Sequence, residues 1–444
     1  MLNDCVLVAG TTTDYVDIIR QQLGDRAIFL TNFAHRAAAT EPAPPPGQEL
    51  LADLSLPHEQ LLALVTAHAA RFKHNIVGVA CFDDESMALA SSLAKAMNLP
   101  YPSAAAVAAC RSKLACKQAW SAAGLPTPAA RLVRTAADAA DFMHAVAGAA
   151  VLKPLTGSGS ELIFFCRSAA EAADALATIT ARLATHHDAR MYGAGAAGGA
   201  MVDSRSVAVI EEFVQGPEYS CDFVIEGGRA RIIRLARKIM DHSQTLGTCT
   251  AYIVPAPPPD LSLDAFTGQL AAACRAVGIE RSICMLDFIV RDGRAVMIEI
   301  APRPGGDCLP PLLKACCGMD MLASAVNFAA GEPVLVPPST AWKQMVGLRL
   351  FAKRSGVIQR LDASAISADP RVSEVYLRRA PGHEVRLPPA DYDSRLLGHV
   401  IFDPSVSGGM ATRQAGRHDV PSIEQQCTEL SGRFIVEYGG GISR

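Results

Sequence analysis

Residues 282–306 read SICMLDFIVRDGRAVMIEIAPRPGG. Two apolar runs flank Asp292-Gly293, and this dipeptide between such runs favours a tight hairpin because both residues tolerate the backbone angles it needs. The segment therefore predicts two antiparallel strands, each with one acid in an apolar run: Asp287 in the first, Glu299 in the second. A three-residue loop of Asp292, Gly293 and Arg294 would set the acids face to face on one side of the sheet. Carboxylates so placed repel, and a lone charge in an apolar run is costly. A hard cation between them relieves both penalties, and Mg²⁺ is usually held by one or two carboxylates plus phosphate oxygens. A two-residue turn would instead put the acids on opposite faces, each with a salt-bridge partner.

Around this hairpin the 444 residues leave room for about two to four compact units. Half the residues are hydrophobic and 19% are charged, which excludes disorder for most of the length. The net charge of −3 comes without a basic stripe, so no nucleic-acid partner is expected. No apolar run approaches the roughly 20 residues of a membrane span, and the N-terminus lacks the basic region of a signal peptide. Thirteen cysteines, with no C-x-x-C pair, sit mostly in apolar segments. They read as buried thiols of a reducing compartment, not as disulfides or zinc ligands. The expectation is a soluble, cytoplasmic protein.

Strands at 4–10, 27–30 and 75–82 alternate with helices at 15–23 and 86–97, which predicts a parallel α/β sheet in an N-terminal domain over 1–103. The first strand–loop, VAGTTTDY, is not a dinucleotide fingerprint, and no G-x-x-x-x-G-K-[ST] exists, so a P-loop is excluded. A proline-rich loop spans 41–47. Residues 104–337 change character: strands at 149–153, 162–166, 207–214, 219–225, 231–237 and 282–290, with helices at 169–183 and 263–277, predict α+β structure with antiparallel sheets. The segment YGAGAAGGAM, 192–201, reads as a mobile loop with few anchoring side chains. Pro337-Pro338 marks a boundary before a C-terminal α+β subdomain, 338–444.

Other residues carry chemistry. In APRPGG, flanking prolines stiffen Arg303, and Gly305 and Gly306 allow backbone N–H groups to approach an anion. An arginine so near a metal acid could neutralise a carboxylate or a developing oxyanion; a plain surface turn is the alternative. Lys153 ends an apolar strand ahead of the loop TGSGS, where backbone donors could meet phosphates. Lys113 sits in the first turn of the helix SKLACKQAWSAAG, where a cation is disfavoured unless an anion lies nearby. In VAVIEEFVQGPE the strand edge can serve a purine, and Glu218 can accept from ribose hydroxyls. Taken alone, Lys113 fits an ordinary surface lysine and the strand fits one with solvated glutamates.

The order SK-x₁₀-G-x-P-x-P, VLKP with a Gly/Ser loop, VIEEFVQGPEYS, an acid on a strand, then EIAPRPGG resembles the ATP-grasp superfamily of carboxylate–amine ligases, over about residues 75 to 335. The resemblance implies an α/β N-terminal domain, an α+β ATP-grasp fold and a C-terminal α+β subdomain that closes the substrate site. It implies Lys113 and Lys153 as phosphate lysines, and Gly157, Ser158, Gly159 and Ser160 as a flexible lid. Glu211 with the backbone of Glu212 and Val214 resembles the adenine hinge, and Glu218 the ribose acid. Asp287 and Glu299 resemble the magnesium acids, Arg303 the arginine stabilising acyl-phosphate and tetrahedral states, and Lys238 a further phosphate contact. Lys153 and Arg303 are the implied catalytic pair.

ATP and Mg²⁺, with Mn²⁺ as a substitute, are the implied cofactors, and small carboxylates and amines the partners, in a chain that could form a homodimer. Many members carry asparagine two residues after the second metal acid; here Ala301 stands there, as in the subgroup joining amino acids into dipeptides. The reading PGGDCLPP replaces the biotin carboxylase hallmark and argues against bicarbonate carboxylation. The implied reaction is amide formation through an acyl phosphate. The alternatives are a formate, bicarbonate or thiol acceptor, or an ATP-binding protein without turnover. Asp307 could hold a substrate ammonium, while His242 and Cys308 lie near the motifs without a mark of catalysis.

Overall fold

The computed structural model describes residues 3–186, 188–197, 199–241, 243–406 and 421–439. Strands β1 (Asn3–Ala9), β2 (Ala27–Asn32), β3 (Glu49–Ala52) and β4 (His74–Ala80) form a parallel sheet in the order β3-β2-β1-β4. The apolar run of β1 feeds two cores: Val6 and Val8 pack with the helix Thr13–Leu23, while Cys5, Leu7 and Ala9 face the helices His58–Phe72 and Met87–Ala96. A strand covered on both faces is apolar throughout. A helix from much later in the chain, Met321–Ala329, also packs on this sheet. Its approach explains Gly78, where a Cβ would lie 2.2 Å from the Ala329 carbonyl oxygen.

The chain continues through β5 (Ala130–Val133), β6 (Ala150–Pro154), β7 (Phe164–Cys166), β8 (Ala194–Ala197), β9 (Ala200–Asp203) and β10 (Ala208–Glu212). An antiparallel sheet in the order β5-β10-β6-β7 is backed by the helices Ala136–Val146 and Ala169–Ala184. The expected mobile loop at 192–201 is corrected here: β8 and β9 pair as a short ribbon, with Gly198 outside the described residues. Small side chains serve close approach in this ribbon. A Cβ on Gly195 would lie 2.6 Å from Ser204 Oγ and 2.8 Å from Leu155, and the Ser112 hydroxyl donates to the Ala196 carbonyl.

A large sheet follows, built from β11 (Glu218–Glu226), β12 (Arg229–Met240), β13 (Cys249–Val254), β14 (Ser282–Arg291), β15 (Arg294–Ala301), β16 (Met345–Phe351), β18 (Val372–Leu377) and β20 (Leu396–Phe402). Its order is β15-β14-β11-β12-β13-β16-β20-β18, so strands on either side of Pro337-Pro338 share one sheet. Strands β17 (Gly356–Asp362), β19 (Glu384–Val385) and β21 (Ile435–Gly439) form a small separate sheet. No single helix among the described residues is long and apolar enough to cross a membrane. All thirteen cysteines are free thiols, and all but the half-buried Cys317 are buried.

The hairpin register differs from the expected route to it. Arg291 pairs with Arg294, so the turn is the two residues Asp292 and Gly293, not three. A two-residue turn alone would put the acids on opposite faces, because side chains alternate along a strand. Between Phe288↔Met297 and Asp287↔Glu299 the ladder slips by one residue, leaving Ile298 as a bulge. The bulge reverses the alternation and returns Asp287 and Glu299 to one face.

The helix Lys113–Ala122 is fixed to the back of the large sheet by Trp120, which is fully buried against the helix Leu263–Val277 and donates its indole N–H to the Ala273 carbonyl at 3.3 Å. Trp120→Ala should cost about 3–5 kcal/mol. Urea titration would show this as a lower midpoint with an unchanged slope.

Candidate active site

One cleft gathers residues from all parts of the chain: Lys113, the Gly157–Ser160 loop, Lys238, Asp287, Glu299 and Arg303 line it together with Asp307 and Arg349. Lys113 begins a helix whose N-cap Ser112 accepts from the Ala115 N–H. Its buried ammonium donates to the Gly157 carbonyl at 2.7 Å. Burial pulls its pKa down, partly opposed by the Glu299 carboxylate. The loop after β6 needs glycine at 157, where φ is +124° and a Cβ would lie 2.8 Å from the Tyr192 ring. Ser158 and Gly159 are exposed at the cleft mouth.

Asp287 and Glu299 stand opposite each other on β14 and β15. One oxygen of Asp287, Oδ2, takes the Lys238 ammonium at 2.5 Å. The other, Oδ1, is buried and has no hydrogen-bond partner among the described residues. Lys238 also lies 3.9 Å from Glu218. Its pKa ends up raised: burial opposes the charge, but Asp287 and then Glu218 outweigh it.

Lys153 and Glu211 stand apart from this cleft wall. Glu211 is buried between two lysines, with Lys117 at 2.9 Å from Oε1 and Lys153 at 2.7 Å from Oε2. Burial alone would raise the Glu211 pKa, yet Lys117 and Lys153 bring it below the usual value. Its side chain is thus turned to the lysines, and the Glu212 N–H is given to the Ala129 carbonyl at 2.9 Å. Phe213 and Glu218 line a second depression, where Phe165 meets Phe213 edge to face at 4.7 Å between centroids. The two clefts meet at Gly247. Val214 is buried beside Ile289 and Val296.

In PRPGG, Gly305 serves an unexpected anion. The Gly305 N–H donates at 3.0 Å to Asp222, itself held by the buried Arg234 at 2.7 Å. A Cβ on Gly305 would lie 2.5 Å from the Arg234 guanidinium. The close approach is therefore to the protein's own carboxylate. Asp307 is an exposed turn residue with a left-handed φ of +58°, and it pairs with Arg349 at 2.6 Å. Cys308 is fully buried, and burial first, then Asp307, pushes its thiol well above the usual range. His242 lies outside the described residues.

Sequence reasoning missed three acids and a lysine. Asp83, Asp84 and Glu85 follow β4 and line the cleft. Asp84 grips Arg303 with both oxygens, at 2.9 and 2.6 Å. Their signal was position: residues just past the carboxyl end of a parallel strand face the crevice of an open α/β sheet. Lys117 lies one helical turn after Lys113, a spacing that puts both on one helix face.

Residues 146–311 match the ATP-grasp domain family. The uncharacterized protein y4rH of Sinorhizobium fredii is 27% identical over 334 residues, covering 75% of this chain and 65% of that protein. Carnosine synthase 1 of Homo sapiens is 26% identical over 343 residues, covering 73% of this chain and 39% of that protein. The chain spans less than two thirds of the length of these curated relatives. The crystal structure of an L-amino acid ligase from Bacillus licheniformis shares the fold with a TM-score of 0.72, at 17% identity over 99% of both chains. The chain has the ATP-grasp fold.

Burial, and then the neighbouring Asp83 carboxylate, push Glu85 up from 4.5 to about 7. The folded chain then holds more protons than the unfolded one between those values, so this residue makes stability fall as pH rises through the window. Glu85→Gln should match wild type near pH 4, exceed it in stability at pH 7.5, and show a shallower slope between. Urea midpoints measured across that range check it; identical slopes would assign the whole effect elsewhere.

Proposed function

We propose that this chain, which carries an ATP-grasp domain, is an ATP-dependent carboxylate–amine ligase that forms an amide through an acyl phosphate. The observation that carries the reading is the facing pair Asp287 and Glu299 in a cleft that also holds Lys113, Lys238, Arg303 and a glycine-rich loop. Amino acids or small carboxylic acids are the substrate class, a choice supported by the names of the carnosine synthase and L-amino acid ligase relatives.

The residues present fit Mg²⁺. Two carboxylates face each other, one with a buried oxygen lacking a partner. No group of three or more potential metal ligands exists among the described residues, which suits a cation whose shell is completed by phosphate oxygens and water. Asp287 and Glu299 would hold it, with Ala301 in the place of a side-chain ligand; Mn²⁺ is a substitute for the same acids. Bound there, the ion neutralises phosphate charge.

The chain's own residues supply the rest. The substrate carboxylate attacks the γ-phosphate of ATP, and ADP leaves. Lys113 and Lys238 position phosphate oxygens, while Lys153 is held on Glu211 behind the cleft wall. Arg303, stiffened by Asp84, faces the charge that develops on the acyl group. An amine then attacks the acyl carbon, loses a proton, and inorganic phosphate departs. An acyl phosphate open to water would hydrolyse, so the Gly157–Ser160 loop closes over it. On this reading the purine belongs to the strand end at Glu211, Glu212 and Val214, and the ribose to Glu218, which with Phe213 lines the second depression.

Incubation with MgATP, hydroxylamine and pooled amino and carboxylic acids should give a hydroxamate and ADP, and deconvolution names the acid. AMP with pyrophosphate would exclude the mechanism. Asp287→Asn and Glu299→Gln should each lower kcat by about 10²–10³, with far-UV circular dichroism unchanged.

A further inference from the structure

We propose that Lys117 is a positioning residue that holds the Ile298 bulge and so sets Asp287 and Glu299 on one face. The inference rests on the reading of those two acids as metal ligands.

The two-residue turn pairs Phe288 with Met297, and an unbroken ladder would continue with Asp287 opposite Ile298. Glu299 would then sit one position further, with its side chain on the face away from Asp287. Only the extra residue prevents this, and a bulge leaves that residue's backbone without its ladder partners. β15 is the edge strand of the large sheet, so no further strand supplies them. Instead the Lys117 ammonium donates to the Ile298 carbonyl at 2.6 Å. The neighbouring Met297 is tied at both backbone groups: its N–H donates to the Pro126 carbonyl at 2.9 Å, and its carbonyl accepts from Thr127 at 3.0 Å. The outer side of the edge strand is thus pinned at consecutive residues, with the lysine at the bulge itself.

A lysine in this place needs a reason. Lys117 is 2% exposed, and a methionine of similar length would occupy the same space without the cost of a buried charge. What a methionine lacks is donors. An ammonium has three; one goes to Ile298, and the cation also pairs with Glu211 at 2.9 Å. Glu211 in turn holds Lys153 at 2.7 Å, so the bulge is coupled to the ends of β10 and β6. Replacing Lys117 leaves Lys153 on Glu211 Oε2 but takes the cation from the buried Oε1, so metal-free nucleotide binding is measured beside metal binding to separate that loss from the bulge.

The test measures Mn²⁺ binding by electron paramagnetic resonance, in the presence of a non-hydrolysable ATP analogue. Binding of that analogue in EDTA is measured separately by calorimetry. Lys117→Met should weaken Mn²⁺ at least tenfold while metal-free analogue binding stays within about twofold, and Lys117→Arg, which keeps the donors, should recover most of the loss. Asp287→Asn is the benchmark and should abolish Mn²⁺ binding. Wild-type Mn²⁺ affinity in Lys117→Met alongside loss in Asp287→Asn overturns the positioning role and leaves the ligase reading standing. Equal weakening of metal and metal-free analogue means general loosening and also overturns it. Wild-type affinity in Asp287→Asn removes the reading of the metal acids, and this inference with it. If Lys117→Met does not fold, Lys117→Gln, one atom short of the carbonyl, takes its place with the same expectation and the same overturning result.

Discussion

A carboxylate buried in a sheet must find its countercharge within the fold, and Glu211 does so by giving one oxygen to each of two lysines. Much of the interior depends on that arrangement. Lys117 arrives on a helix, Lys153 on β6 and Glu211 on β10, so three elements meet at one charge cluster. Such a cluster is weak evidence of net stability, since apolar residues of equal volume often do as well. Its contribution is geometric. Packed apolar side chains tolerate small sliding between elements, whereas buried charges lose heavily when their partners move away.

The second constraint is the junction between the parallel sheet and the cleft. Asp84 leaves the carboxyl end of β4 and grips Arg303, more than two hundred residues later in the chain. The helix Met321–Ala329 packs on the same sheet, and Gly78 admits its backbone. The N-terminal sheet therefore does not merely precede the rest of the fold. It supplies one wall of the cleft and holds the arginine that stands across it.

Local pattern carried much of this architecture. Apolar runs at 4–10, 27–30 and 75–82 correspond to β1, β2 and β4, because a strand buried on both faces must be apolar throughout. The helix Leu263–Val277 lies where its pattern put it. What pattern could not convey was pairing. The hairpin turn is shorter than expected, and a bulge compensates for it; a bulge leaves little trace in the sequence of one strand, since its cause sits on another element. The same holds for Gly305, whose anion is Asp222, and for the 192–201 segment, whose small residues suit a close-packed ribbon as well as a loose loop. Lys117 and Asp84 were invisible as partners because their contacts span 181 and 219 positions.

Three cations of the cleft are already paired with carboxylates before any ligand arrives. Lys238 sits on Asp287, Arg349 on Asp307, and Arg303 on Asp84. An unpaired cation in so confined a space would be costly, and internal pairing keeps each long side chain in place without paying that cost. It also shapes what binds well. A phosphate alone must displace a carboxylate from its lysine and leave that acid uncompensated. A cation alone meets Asp287 Oδ1, which lacks a hydrogen-bond partner among the described residues, but brings no anion for Lys238 or Lys113. A ligand that brings phosphate and a cation together offers each partner a replacement in one event, so binding exchanges pairs instead of breaking them. The interleaving of acids and bases along the cleft thus favours a metal–nucleotide complex over either component, while the side chains that receive it are already ordered.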